Sequence, residues 1–292
     1  MAYQEILWHI DGHDIPIGLE RLGQGPTLLL LPALSSISTR REMQAVQQHL
    51  AQAFTTVSID WPGFGSLPKP YINWRPALYE DYVNFLLTRI VPQPHAIVAA
   101  GHAVGYVLRH FARHPHHGER LIFLSPTWRG PLPTMMNGDR PLFARITRAV
   151  DKPVLGNMLY ALNVNRFVVG LMARGHVYAD PHWLKGQRLQ EKLAVTRTPG
   201  ARHASIRFVT GGLDPFRSRQ EQLDNMKHIT APVLNIFAQT APRKSRQEME
   251  TLSQVYNLQT VRLPRGKLSF YEEFPAETAA HINAFLKDRA VA

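Results

Sequence analysis

The sequence predicts an α/β fold, with a mostly parallel central sheet, helices on both of its faces and one inserted helical segment. Three observations carry this expectation. Apolar, strand-like runs alternate with amphipathic helical ones, as crossover helices between parallel strands require. A turn signal near the N-terminus pairs the first two runs as a hairpin. The alternation breaks once, between Pro126 and Ile229, and then resumes.

Each element has its own signature. Residues 5–10 and 15–21 flank Asp11-Gly12, a strong hairpin turn signal. Residues 27–32 are a continuous apolar run, suited to a strand covered on both faces. Thr39-Arg40-Arg41-Glu42 has capping-box spacing and opens a helix with Met43, Val46, Leu50 and Phe54 on one face. Residues 55–61 form the next strand, and a helix bearing Tyr79, Tyr82, Val83, Leu86 and Ile90 follows. Residues 95–101 read as a strand that leads at once into a helix with Val104, Val107, Leu108 and Phe111 on one face. Residues 121–125 are again a strand. The irregular middle mixes Pro-, Gly- and Arg-rich turns with short helical stretches such as 155–169. A strand over 232–239 restores the order. Ser245-Arg246-Gln247-Glu248 opens a helix with Met249, Leu252 and Tyr256, residues 258–263 are the last strand, and 275–288 the last helix. The expected division is a core of residues 1–126 and 230–292 with a cap of residues 127–229.

Composition narrows the function. A chain of 292 residues, 45% hydrophobic, can bury a substantial core. It contains no cysteine, which excludes disulfides, zinc–thiolate sites and a cysteine nucleophile. The first residues lack a basic region followed by an apolar one, and the longest apolar run, 28–34, contains Pro32 and is too short to span a bilayer. The expectation is a cytoplasmic protein with no membrane span. The net charge is +11, and residues 127–228 hold 16 Lys+Arg against 7 Asp+Glu. Such a balance fits a solvated basic face, an acidic ligand or an anionic membrane surface. Nucleic acid is disfavoured, since no zinc-finger, helix-turn-helix or RNP signature and no dense basic run occurs.

The chemistry should sit at Ala100-Gly101-His102-Ala103-Val104-Gly105, between an apolar strand and an amphipathic helix. G-x-S-x-G in that context is a nucleophile elbow; here the serine is missing. With Asp60-Trp61-Pro62-Gly63-Phe64-Gly65, Pro232-Val233-Leu234 with Phe237, and Glu272-Glu273-Phe274-Pro275, the chain resembles the α/β-hydrolase superfamily over almost its whole length, cap position included.

What the resemblance implies about activity fails position by position. Ala103 stands at the nucleophile position, and a methyl group cannot attack a carbonyl. The acid position reads Gln239-Thr240-Ala241-Pro242, and the base position Gly266-Lys267-Leu268-Ser269. The oxyanion loop reads Pro32-Ala33-Leu34-Ser35, so the Leu34 and Val104 amides are the expected oxyanion donors, and the helix N-terminus favours negative charge. His102 reads first as packing beside the site, and Asp60 as a brace for its own loop or else a base. Ser35 and Ser36 offer a displaced hydroxyl, and Asp214 a relocated acid. Trp128-Arg129 opens the cap and can hold an anion or lie on the surface. Lys267 can pair with a ligand anion or face solvent. His114-Pro115-His116-His117 reads as a surface turn, and no metal or cofactor is expected.

The leading expectation is a pseudo-hydrolase that binds a small molecule, an anionic one favoured, under its cap, with Leu34, Ser35, His102, Ala103, Val104, Trp128, Arg129 and Lys267 as the site. The alternatives are an enzyme with a non-standard site in the same pocket (a lyase, isomerase or esterase-like hydrolase), and a protein-interaction scaffold using the basic cap.

Overall fold

The computed structural model describes residues 2–255 and 258–288; Tyr256 lies outside them. Among the described residues, eight strands form one sheet. They are β1 (Ala2–Ile10), β2 (His13–Leu22), β3 (Thr27–Leu31), β4 (Thr55–Ile59), β5 (Ala96–Ala100), β6 (Leu121–Leu124), β7 (Val233–Ala238) and β8 (Leu258–Leu263). Their order is β1-β2-β4-β3-β5-β6-β7-β8. The pairs β1–β2 and β2–β4 are antiparallel and the rest are parallel.

Asp11 and Gly12 both take left-handed backbone, φ 49° and 75°, so a tight mirror-image turn joins Ile10 to His13. The central strands are buried on both faces, and their alternation sorts them between two cores. Leu29, Leu31, Ile97, Ala99, Leu121 and Phe123 face one side, while Leu28, Leu30, Val98, Ala100, Ile122 and Leu124 face the other. Helices α2 (Pro76–Phe85) and α3 (Ala103–Arg113) cover the first face. Helices α1 (Gln44–Leu50) and α12 (Pro275–Lys287) cover the second.

Several element starts differ from the sequence expectation. Thr39 caps the Arg41 amide, not that of Glu42, and a 3₁₀ turn over Arg40–Met43 precedes α1, leaving Phe54 beyond the helix. Helix α11 (Arg243–Leu252) begins two residues before Ser245, because Pro242, at φ −51° and ψ 134°, sets the entry. The stretch 155–169 is two helices, since Asn165 caps the Phe167 and Val168 amides and restarts the chain.

Between β6 and β7 lie α4 (Pro131–Met135), α5 (Pro141–Asp151), α6 (Pro153–Asn163), α7 (Arg166–Met172), α8 (Gly186–Thr196), α9 (Ala201–Val209) and α10 (Arg219–Lys227). The segment leaves and returns at one point. A Cβ at Gly130 would stand 2.2 Å from the Phe208 carbonyl oxygen and 3.0 Å from the Gly211 nitrogen, so only glycine admits this approach. Asp214 clasps the stem by accepting the Gly130 amide at 2.7 Å. Helix α10 packs on α3, and Met226 and Ile229 join the core on that face.

Candidate functional site

The strand-to-helix elbow lies where the alternation placed it, but its apex is not Ala103. Gly101 follows β5 with φ +55°, and α3 begins at Ala103. The G-x-x-x-G spacing puts the apex two residues later than the backbone does. The flanking residues agree with the backbone: Ala99-Ala100-Gly101-His102-Ala103 has small residues two positions either side of Gly101. That signal was legible and is weaker than a pair of glycines. A Cβ at Gly101 would point between Ala33, 3.1 Å away on the loop after β3, and the Thr127 hydroxyl, 3.8 Å away after β6. Gly101, Ala33 and Thr127 are each partly exposed, whereas Ala103 is 0% exposed and belongs to the core. The Val104 amide donates to the Gly101 carbonyl at 3.3 Å. It is therefore occupied, and the amide next to the apex is that of His102.

Leu34, Ala103, Val104 and Trp128 are all buried in the core on the α2–α3 side of the sheet, so these four expected site residues serve as packing. Ser35 accepts the Ile37 amide at 3.3 Å. Ser36 meets Ser205 of α9 at 2.5 Å, tying the loop after β3 to the inserted segment. Arg129 lies 4.3 Å over the ring of Trp128, whose indole donates to Glu248 at 3.2 Å.

His102 is buried. Its Nε2–H donates to the Leu213 carbonyl at 2.8 Å, and Tyr106 donates to the same oxygen at 2.6 Å. Its Nδ1 is buried and has no hydrogen-bond partner. Burial lowers the imidazole pKa to about 4, so the ring is neutral near pH 7. Asp214 stands 3.5 Å from His102 Nε2, and burial raises its carboxyl to about 8. Ser125, at the end of β6 with φ +46°, also has a buried hydroxyl without a partner, and His176 of the inserted segment a buried, unpartnered Nδ1.

Near the expected base, Lys267 donates to the Arg174 carbonyl at 2.5 Å, and the Ser269 amide donates to the Val177 carbonyl. Ala241 is buried, and Thr240 donates to the Gly266 carbonyl, joining the loops after β7 and β8. Lys267 thus fastens the inserted segment to the sheet. Asp60 accepts the Arg40 amide at 2.6 Å and its guanidinium at 2.7 Å, which braces its own loop. His114 stacks on His117 at an interplanar angle of 11°, and His117 Nδ1 meets His110 Nε2 at 2.9 Å. Stacked rings do not aim their nitrogens at a common point, and among the described residues no group of three or more His, Cys, Asp or Glu is placed to hold a metal ion.

One buried cluster carries no sequence signal. Lys192 of α8 bonds Glu42 and stands 3.3 Å from Glu272, whose other oxygen accepts the Tyr178 hydroxyl at 2.7 Å. Burial raises the Glu42 pKa to about 7, with Lys192 opposing. Two open clefts lie in the inserted segment. One of about 870 Å³ is lined by Arg166, Arg197 and Arg202, and one of about 540 Å³ by Arg174 and Lys185.

Comparison with protein families matches residues 28–281 to a model described as the alpha/beta hydrolase family. No curated protein matches the chain. Among solved structures, a bromoperoxidase from Bacillus anthracis is similar at TM-score 0.71 and 17% identity, over 98% of this chain and 100% of that one. A thermophilic esterase from Thermogutta terrifontis is similar at TM-score 0.71 and 15% identity, over 98% of each chain. A haloalkane dehalogenase from Agrobacterium tumefaciens is similar at TM-score 0.69 and 16% identity, over 97% of this chain and 96% of that one. Identities this low speak to the fold alone.

Proposed function

The chain belongs to the alpha/beta hydrolase family, and we propose that within it this protein is a pseudo-hydrolase, a non-hydrolytic homologue that binds a small molecule beneath its inserted segment. The observation that carries the reading is the elbow apex. Gly101 holds the left-handed turn and offers no side chain, so neither it nor Ala103 can supply a nucleophile. The loops after β7 and β8 add no carboxylate and no imidazole at the expected acid and base positions. Buried polar atoms without partners are rare. His102 Nδ1, Ser125 Oγ and His176 Nδ1 are three such atoms, on the elbow, at the end of β6 and on the segment that meets the loop after β8. Gln47 Oε1, Trp74 Nε1 and Asn235 Oδ1 are buried and unpartnered elsewhere in the core, so it is the place of these three, at the elbow and the neighbouring strand ends, that supports a polar ligand there. The cationic side of the reading rests on the inserted segment more than on Lys267, which is occupied by the Arg174 carbonyl.

Fluorophosphonate labelling tests this reading, because it needs an activated hydroxyl. The wild-type chain should remain unlabelled while an ordinary serine esterase labels fully. Stoichiometric labelling, at Ser35, Ser36 or Ser125, would overturn it. A trace rate on activated esters decides nothing, since a site stripped of its triad still accelerates such reactions by about 10³–10⁴ over water.

The enzyme reading draws on the His102–Asp214 pair, in which a neutral imidazole faces a carboxyl able to hold its proton. The same two groups, however, are committed to the Leu213 carbonyl and the Gly130 amide, which is how a stem is fastened.

A further inference from the structure

Helix α6 is an exposed helix built almost wholly of apolar residues. It contains no charged residue between Pro153 and Asn163, and only Gly156 and Tyr160 are buried. Val154 is 77% exposed, Met158 61% and Leu162 66%, with Leu155 and Leu159 also exposed. At about 100° per residue these five side chains cover an arc of roughly 140°, a continuous apolar face. It does not end with α6, because Phe167 and Leu171 on α7 are exposed one helical turn apart. Single exposed apolar residues need no explanation, but a contiguous face of this kind does.

The charges around that face point to its partner. From Arg140 to Arg174 the chain has six basic residues (Arg140, Arg145, Arg148, Lys152, Arg166 and Arg174), and all are exposed. The one acid in that range, Asp151, is bonded to Arg207 and His203 and is largely covered. The cleft of about 870 Å³ opens along α6 itself, lined by Asn157 and Ala161, with Arg166, Arg197 and Arg202 and no carboxylate. An apolar face beside a cleft lined by Arg166, Arg197 and Arg202, with exposed cations on the chain before and after it, is complementary to a bilayer interface, with acyl chains below and anionic headgroups at the rim. A second copy would set like charges against like. No described helix is long and apolar enough to cross a membrane, so the contact lies in the interface plane.

We propose that the α6–α7 face of the inserted segment docks the protein on an anionic phospholipid bilayer. The proposal does not depend on what the elbow binds. Flotation of the full chain with vesicles tests it, comparing phosphatidylcholine alone with phosphatidylcholine containing phosphatidylserine. The chain should float with the anionic vesicles at least about tenfold better than with the neutral ones, and added salt should release it. Met158→Glu with Leu162→Glu should abolish flotation without moving the thermal midpoint, as both side chains are exposed. Arg145→Gln with Arg148→Gln should weaken binding to anionic vesicles selectively. Glycerol phosphate in solution should not compete; full competition would assign the cations to a free phosphate ligand and overturn bilayer docking. The proposal also falls if the wild-type chain stays unbound in both mixtures, if the glutamate variant floats as well as wild type, or if the wild type is a dimer that this variant splits. Retention on nucleic acid in place of vesicles would equally overturn it.

Discussion

At Gly101 the backbone turns from strand to helix, and the residue chosen is the one for which φ +55° carries no steric penalty. Its absent side chain would enter the partly exposed gap between Ala33 and Thr127, while the Ala103 methyl is sealed in the core. The two positions therefore separate by reactivity. In the cysteine-free background, Gly101→Cys should react with a small maleimide, and Ala103→Cys should stay unmodified until denaturant is added. The reverse order would put the apex back at Ala103. Asp214 permits a second test at this scale. Its folded pKa, about 8, lies above the usual carboxylate value of 3.8, so the folded state holds the proton more tightly than the unfolded one. Stability linked to this group is present below about pH 4 and is lost as pH rises towards 8. Asp214→Asn keeps an oxygen for the Gly130 amide and cannot ionise. It should come nearest wild type at about pH 4 and exceed it by a margin that grows by about 1.4 kcal/mol for each pH unit up to about pH 8 in urea unfolding. An equal pH dependence in both proteins would show that Asp214 ionises freely in the folded state.

Among the elements, the sheet and its flanking helices follow from local pattern, and α8 does not. Lys192 on α8 is held by Glu42, 150 residues away in sequence, and by Glu272 beyond the last strand. Replacing Lys192 by Met leaves two buried carboxylates facing each other, which should cost about 3–5 kcal/mol at neutral pH. The deficit has a sign in pH. Without Lys192 the Glu42 carboxyl, already raised to about 7 by burial, rises further, so stability is lost as pH increases. Urea midpoints should thus show a larger deficit at pH 8 than at pH 5. A deficit that shrinks at pH 8 would mean that water already screens the cluster. The same contrast explains what was legible beforehand. The hairpin was readable from Asp11-Gly12, and the strands from runs such as Leu28 to Leu31, because each signal lies within a few residues. The elbow was located, but its apex was displaced from Gly101 to Ala103, since a pair of glycines outweighs a run of small residues. The Lys192 cluster and the Ser36–Ser205 contact join distant segments, and no local pattern records them.

For the whole molecule, the question is where the inserted unit ends and the hydrolase core begins. The sequence division, 127–229 against the rest, assigns α10 and Trp128 to the cap. Yet Trp128, Leu213, Phe216, Met226 and Ile229 are buried in the core on the α3 side, and α10 packs on α3. Losing side chains of this size costs about 2–5 kcal/mol each, and five of them together match or exceed the roughly 5–15 kcal/mol that holds a typical domain together. Gly130 and Gly211, by contrast, are already neighbours, so the chain between them can be removed without stretching the ends. We expect the structural boundary at these two glycines. Joining Gly130 directly to Gly211 should leave a protein with a cooperative thermal transition at a reduced midpoint, because α9 no longer covers Phe64 and His102. Removing 127–229 should abolish the transition and give aggregated material. Calorimetry on both deletions decides the matter. If the longer deletion melts cooperatively, α10 belongs to the inserted unit; if the shorter one does not, the inserted segment is part of the folding core and not a cap laid on it.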